Sequence, residues 1–482
     1  MTKLACFSLA VGTLLAAACR SPDVPDLNSP PINSVLDNPG RGNVAIAAQG
    51  LLIGARNNLA EYNGYVTELG VFGRESYIFD PGDNRFVTEL LNPGGLNGSN
   101  PRFGGNMWTA RYANIRGANL LMRALNVPYT KADSVTTPEK EAVRGFARTI
   151  QALDFLEIIN TRDTIGAPID VDHGVDTLAP FVPRDQVFLH INRLLDSAQT
   201  HLQAADAAGA GFPFQLTSGF TGFSTPATFL KFNRALKARV QVYRGAIFSD
   251  DFAFIDAINL LADVGATFID TMPGFDLNIG VSHTFGTTSG DITNGLFDPT
   301  PAKLYAHPSL LTDAETQNLS TALDRRYLAK VRSVTFRSYV GHGSSLGFIR
   351  YASNVAPLPI IRNEELILLR AEANLAEGNL VTATGDINFI RVNSGGLAPI
   401  LNLAVQTPDS ILTVLLKEKR YSLLFEGGHR WLDARHYGRL GIEAVPGPYP
   451  LPIDIPGDQI YLLMPVPLDE CLPRPAGSRG CP

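Results

Sequence analysis

Apolar residues recur at three-to-four spacing from residue 42, where Val44, Ala47, Ala48, Leu51, Leu52 and Ala55 share one helical face within 42–62. The same period predicts helices over 108–127, with Trp108, Tyr112, Ile115, Asn119 and Leu120 on one side, and over 139–160, 184–208, 225–248 and 250–265. Thr137-Pro138 and Thr225-Pro226 supply a capping hydroxyl and a first-turn proline at two of these starts. Helices 108–127 and 139–160 are expected to form a hairpin. Small residues at the crossings, Ala235, Ala238 and Ala246, suggest tetratricopeptide-like stacking of such hairpins, although no strict repeat consensus is present.

Two stretches break the helical period. The proline-punctuated run at 164–184 reads as an extended excursion. From 266 to 361 the chain turns to Gly, Ser, Thr, aromatic and β-branched residues, which predicts a long irregular insertion with short strands; VGHGSSLG (340–347) and FGTTSG (285–290) within it read as loop glycines. Helices resume at the end: Asn363 can cap a helix with Glu364 and Glu365 in its first turn and Gly378 as its stop, a second ends at Gly395-Gly396, and Thr407-Pro408-Asp409 starts a third.

The first segment, MTKLACFSLAVGTLLAAAC, has a lone lysine before an apolar run too short for a permanent membrane span, the pattern of a secretory signal. Three alanines before Cys19 make a lipobox-like cleavage site, so Cys19 is the expected lipidation position and 20–40, rich in Pro, Asn and Ser, the tether. Cys471 and Cys481 are then the other cysteines of an exported chain and are expected to pair in its Pro/Gly-rich tail. With 482 residues and 45% hydrophobic composition the chain can bury a large core. A net charge of −6 without a basic stripe argues against nucleic acid as a partner.

Three C-terminal segments occur in a telling order: RNEELILLRAEANLAEGN (362–379), INFIRVNSGGL (387–397) and KEKRYSLLFEGGHRWLDAR (417–435). Together with the Trp108, Tyr112, Ile115, Ala118 and Asn119 pattern, they resemble the SusD/RagB family of surface glycan-binding lipoproteins. Ser422, where that family usually has Glu, and Ala434, where it has Leu, are departures. The resemblance implies a mostly α fold, a SusD-like α/α superhelix of tetratricopeptide-like hairpins. It further implies an outer-membrane lipoprotein exposed at the cell surface that captures a glycan and delivers it to a SusC-like TonB-dependent transporter. The expected organisation is a signal peptide at 1–18, a lipidated tether at 19–41, a helical region at 42–265 with a binding loop at 73–106, the insertion at 266–361 and a signature region with its tail at 362–482.

Sugar recognition needs aromatic faces for pyranose C–H patches and polar groups for hydroxyls, on pre-formed loops. Loop 73–106 offers Arg74, Tyr77, Phe79, Asp83, Asn84, Arg85, Arg102, Phe103 and Asn106, with Trp108 just beyond it; the insertion offers Phe285, Asp291, Tyr327, Arg337, Tyr339 and Tyr351. Glu372, Glu418, Glu426 and Asp433 invite a glycosidase reading, but each sits one to four residues from Arg370, Lys419, Arg430 or Arg435, the spacing of intrahelical ion pairs. No catalytic residue is therefore assigned. Asp170, Asp172 and Asp176 lack the closing Glu of a calcium loop, and the eight histidines show no metal-ligand spacing, so neither metal nor cofactor is expected. The alternatives are an exported helical scaffold that binds peptides or proteins, and, further off, a glycoside hydrolase.

Overall fold

Local capping sets the helical frame. The computed structural model describes residues 36–91, 95–99, 104–174, 177–262, 265–300, 303–440, 451 and 453–481. The signal segment, Cys19, Arg102, Phe103 and Asp176 lie outside them. Twelve helices carry the frame: α1 (Arg41–Gly54), α2 (Tyr65–Phe72), α3 (Asn106–Ala124), α4 (Thr137–Arg162), α5 (Arg184–Ala207), α6 (Pro226–Phe248), α7 (Asp251–Ala262), α8 (Arg325–Lys330), α9 (Asn363–Ala376), α10 (Leu380–Ile390), α11 (Pro408–Ser422) and α12 (His429–His436). α4 opens with a capping box one residue earlier than its sequence suggests: Thr136 accepts from the Glu139 amide, and the Glu139 carboxylate accepts from the Thr136 amide. Thr225 and Thr407 cap α6 and α11 as expected. Gly378 and Gly396, both at positive φ, end α9 and the π-helical turn that follows α10.

The Asn363 cap is corrected. Arg362 occupies the cap position of α9, and Asn363 is its first helical residue. Its buried side chain accepts from the Asp270 amide and donates to the Asp270 and Asp276 carbonyls, pinning the loop that follows α7.

Consecutive helices pack on one another, α3 on α4, α4 on α5, α5 on α6, α6 on α7, and then α9 on α10 and α11, giving a continuous stack of hairpins. α7 bridges to α9, and α12 returns to α2, so the last helices close against the first. One hydrophobic core runs through the stack from Val44 to Met464.

Among the described residues eight short strands interrupt the helices: β1 (Ser76–Ile78), β2 (Ala167–Pro168), β3 (Phe181–Val182), β4 (Gly280–His283), β5 (Leu304–Ala306), β6 (Val331–Tyr339), β7 (His342–Phe348) and β8 (Leu358–Arg362). An antiparallel sheet of order β1-β5-β7-β6 pairs Ser76 with Ala306 and Tyr77 with Tyr305. Residues 340–347 are thus not a loop. β6 and β7 form a hairpin whose two-residue turn, Val340-Gly341, has positive φ at both positions.

The C-terminal carboxylates brace this frame by ion pairs between elements rather than along single helices. Lys419 donates to Glu372 at 2.7 Å and to Asp433 at 2.6 Å, with all three side chains buried. Glu418 accepts from Arg391 and Arg326, and Arg326 also donates to Ser422, so the serine at the departing position lies inside the same network. Glu426 meets Arg362, Lys330 and Arg350; burial pushes its carboxyl up, but those three cations together hold it well below the usual range. Arg370 grips Asp386 with two bonds, tying α9 to α10. Trp431 is fully buried and donates its indole N–H to the Tyr461 carbonyl.

Candidate functional site

Loop 73–106 divides into parts with different fates. Residues 73–80 enter the core as β1 and its flanks: Arg74, Tyr77 and Phe79 are 0%, 2% and 0% exposed. They do not stand on a free surface, because SYIF is apolar or small on both faces and pairs with β5 inside the molecule. Arg74 lies 3.7 Å from Asp454, and the Tyr77 hydroxyl donates to Asp454 at 2.8 Å. Phe79 stacks on Tyr77, with Tyr305 and Tyr339 beside it. Four of the expected sugar contacts, Arg74, Tyr77, Phe79 and Tyr339, therefore do converge, but around a buried polar cluster.

Asp83, Asn84 and Arg85 stay at the surface, where Arg85 grips the Asp83 carboxylate with two bonds. Asn106 is the first residue of α3 and half-buried. In the insertion, Tyr327 and Tyr351 are buried, the latter donating to the Phe425 carbonyl. Phe285 packs under the Arg56 guanidinium, and Asp291 pairs with the same arginine. These four serve packing.

Of the expected residues that are described, Trp108, itself only 4% exposed, borders an open cleft of about 410 Å³. Trp108, Tyr112 and Arg116 are spaced i, i+4, i+8 on α3 and so project from one helix face as its floor. The Trp108 ring packs on Tyr112 at 4.7 Å and stacks on Phe181 of β3 at 5.8 Å, with the Arg162 guanidinium over it. Tyr112 donates to the Pro168 carbonyl at 2.8 Å, which docks the extended 164–184 excursion onto the helix as one wall, through Val171, His173 and Leu178. Burial first, then the Glu470 charge, push the Tyr112 hydroxyl well above the ordinary phenol range, so it remains a neutral donor.

The C-terminal tail makes the opposite wall. Glu470 accepts from the Trp108 indole N–H, and Arg474 donates to the Ala179 carbonyl at 2.7 Å and packs over Phe181. Cys471 and Cys481, bonded to one another with Cα atoms 5.4 Å apart, close the loop that holds Arg474 and anchor its start next to Glu470. At the rim Arg116 is exposed, the His173 Nε2 is buried without a partner, and Thr109 and Thr177 add hydroxyls. Aromatic floor, apolar wall and a few unspent polar groups, the Arg116 donors and the His173 Nε2 lone pair, suit a ring with C–H faces and hydroxyl edges.

Tyr112, Arg116, His173, Leu178, Glu470 and Arg474 were not expected here. The i, i+4, i+8 spacing of Trp108, Tyr112 and Arg116 was the signal available in sequence; the walls come from distant segments. Asp172, weighed as a calcium ligand, pairs with Arg123 at 2.5 Å. A larger groove, about 730 Å³ along α5, α6 and α7, is lined by Asp196, Lys231, Arg234, Lys237 and Asp256 and has no aromatic side chain in its lining.

No protein-family model and no curated protein sequence matches the chain. Solved structures do. The chain superposes with a TM-score of 0.63 and 13% identity on a SusD superfamily protein from Parabacteroides distasonis, over 88% of this chain and 96% of that one. A SusD-like carbohydrate binding protein from Bacteroides fragilis matches with a TM-score of 0.59 and 15% identity over 82% and 86%. Surface glycan-binding protein A from Bacteroides uniformis matches with 0.58 and 16% over 84% and 89%. The helical stack, its sheet-bearing insertion and the closing C-terminal helices together have the fold of the SusD superfamily.

Proposed function

We propose that this chain is a SusD/RagB-type surface lipoprotein that binds an oligosaccharide in the cleft floored by Trp108 and Tyr112, without cleaving it, and delivers it to a SusC-like TonB-dependent transporter in the outer membrane. The observation that carries the reading is an open cleft with aromatic lining, donors left over at Arg116 and an acceptor left over at His173 Nε2, in a fold shared with proteins named as carbohydrate and glycan binders. Cys19 is the proposed lipid attachment, in keeping with the alanine-rich segment before it. No helix among the described residues is long and apolar enough to cross a membrane.

Native electrophoresis through gels containing a panel of polysaccharides tests capture, and a reducing-end assay on the same panel tests cleavage. Retention without released ends supports the reading; released ends would replace it with hydrolysis. Co-purification with a β-barrel receptor from the source membrane tests delivery, and incorporation of a lipid label that is lost in Cys19→Ser tests the anchor. A second reading, a scaffold for peptides, draws on the groove along α5, α6 and α7, whose charged lining suits a polar chain better than a pyranose face. Retention of peptides but of no sugar would favour it.

A further inference from the structure

Where the sheet meets the C-terminal segment, two histidines and two aspartates that lie far apart in sequence come together. His307 follows β5, His342 begins β7, and Asp454 and Asp458 come from the segment laid across them. The hydrogen positions on these rings follow from their neighbours. His342 Nδ1 lies 3.2 Å from the Val340 carbonyl oxygen, which can only accept, so Nδ1 carries the hydrogen and the neutral ring presents a lone pair at Nε2. That Nε2 faces both Asp458 oxygens at 3.0 Å, and both side chains are fully buried. Ionised carboxylate oxygens also only accept. Such a meeting needs a positive species between them, either a second ring proton or a metal ion.

A carboxylate oxygen of Asp454 completes the group, with the three ligand atoms within 4.8 Å of one another. Each is oriented from behind. The Ser309 amide donates to His307 Nδ1, so His307 Nε2 carries hydrogen and donates to Asp454 at 3.0 Å; Tyr77 donates to the other Asp454 oxygen. The Ile455 amide reaches Asp458. Metal-binding side chains are held in this way, an imidazole by a carbonyl and a carboxylate by outside donors.

Donors 2.0–2.2 Å from a tetrahedral ion stand roughly 3.3–3.6 Å apart, between the 3.0 Å Nε2–oxygen distances and the 4.8 Å outer limit of the three-atom group, so a bound ion would draw the Asp454 arm inward. Arg74 offsets one of the two carboxylate charges, which leaves one carboxylate charge for an ion to balance. An imidazole with carboxylates selects zinc and its first-row neighbours over calcium or magnesium.

We propose that His342, Asp454 and Asp458 bind one divalent first-row metal ion, zinc foremost, which fastens the C-terminal segment to the β6–β7 hairpin. His307 and Tyr77 are positioning residues. The test uses the full chain, stripped with chelator and dialysed, and titrated with zinc, calcium or magnesium chloride by calorimetry and thermal unfolding. One equivalent of zinc should bind and raise the melting temperature with rising zinc concentration, with no matching effect of calcium or magnesium. His342→Gln and Asp458→Asn should abolish the effect, His307→Gln should weaken binding roughly 10- to 100-fold, and His173→Gln should leave it intact. Should the His342 and Asp458 variants fail to fold, cobalt added to the native chain decides: visible absorption bands of a low-symmetry nitrogen and oxygen site support the proposal, and their absence overturns it. Zinc binding that survives His342→Gln would be adventitious and would equally overturn it. So would nitrogen NMR showing His342 protonated at both ring positions in the presence of zinc, which makes the cluster a plain ion pair.

Discussion

Lys419→Met is the sharpest perturbation of the bracing network. The ammonium lies 2.7 Å from Glu372 and 2.6 Å from Asp433, and the three side chains are 1%, 1% and 5% exposed. Methionine fills similar volume but leaves two buried carboxylates facing each other, with Tyr437 still donating to Glu372. Removing one partner of a buried pair costs about 3–5 kcal/mol, whereas an exposed intrahelical pair is worth at most about 1 kcal/mol. With a urea dependence of roughly 4 kcal/mol per molar for a chain of this size, the midpoint should fall by about 1 M at pH 7.5.

The pH dependence follows from Asp433, which burial first, and then the Glu372 charge, push up to about 7 against the opposing lysine. Because it holds its proton more tightly folded than unfolded, its contribution to stability is full below the ordinary Asp range and lost as pH rises through about 7. In the variant Asp433, freed of the lysine, holds its proton more tightly still, so the penalty should shrink at pH 5.5. Urea unfolding of both proteins at the two pH values checks this. A midpoint change worth less than about 1 kcal/mol at pH 7.5 would refute buried bracing and restore surface pairs.

Three further outcomes are expected. Phe79→Ala should destabilise the chain by about 3–5 kcal/mol in denaturant melts, because the ring is core and not a sugar platform. Glu75, buried and pushed up to about 7 chiefly by burial, holds its proton more tightly folded than unfolded, so its contribution fades as pH rises from about 4.5 through 7. Glu75→Gln should therefore raise stability by up to about 3 kcal/mol at pH 8 and change little at pH 4.5, read from paired unfolding curves. Reducing Cys471–Cys481 should loosen the tail by roughly 2–3 kcal/mol and lower polysaccharide retention, since Glu470 and Arg474 wall the cleft; equal mobility with and without reductant would separate the tail from binding.

What was legible in the chain was local. Thr225, Thr407, Gly378 and Gly396 announce helix ends because a cap acts within a few residues, and the 3.6-residue period exposes each buried face. The sheet was not, since β1 meets β5 across nearly half of the chain and ESYIF, buried on both faces, shows no alternation. The ion pairs illustrate the same limit. Lys419 stands next to Glu418 in sequence yet pairs with Glu372, 47 residues away, because a helix face and not adjacency decides which groups meet. In the cleft, Trp108 and Tyr112 could be read from their spacing, but only tertiary packing brings Pro168, Glu470 and Arg474 to them.

Ala113→Trp bears most directly on the central claim. Ala113 is an exposed position on the cleft floor next to Tyr112, so an indole there fills the space without disturbing the core. Mobility in polysaccharide gels should become that of a non-binding protein while the melting temperature stays within a degree or two of the parent. Undiminished retention by a correctly folded Ala113→Trp chain would contradict the assignment of glycan capture to this cleft.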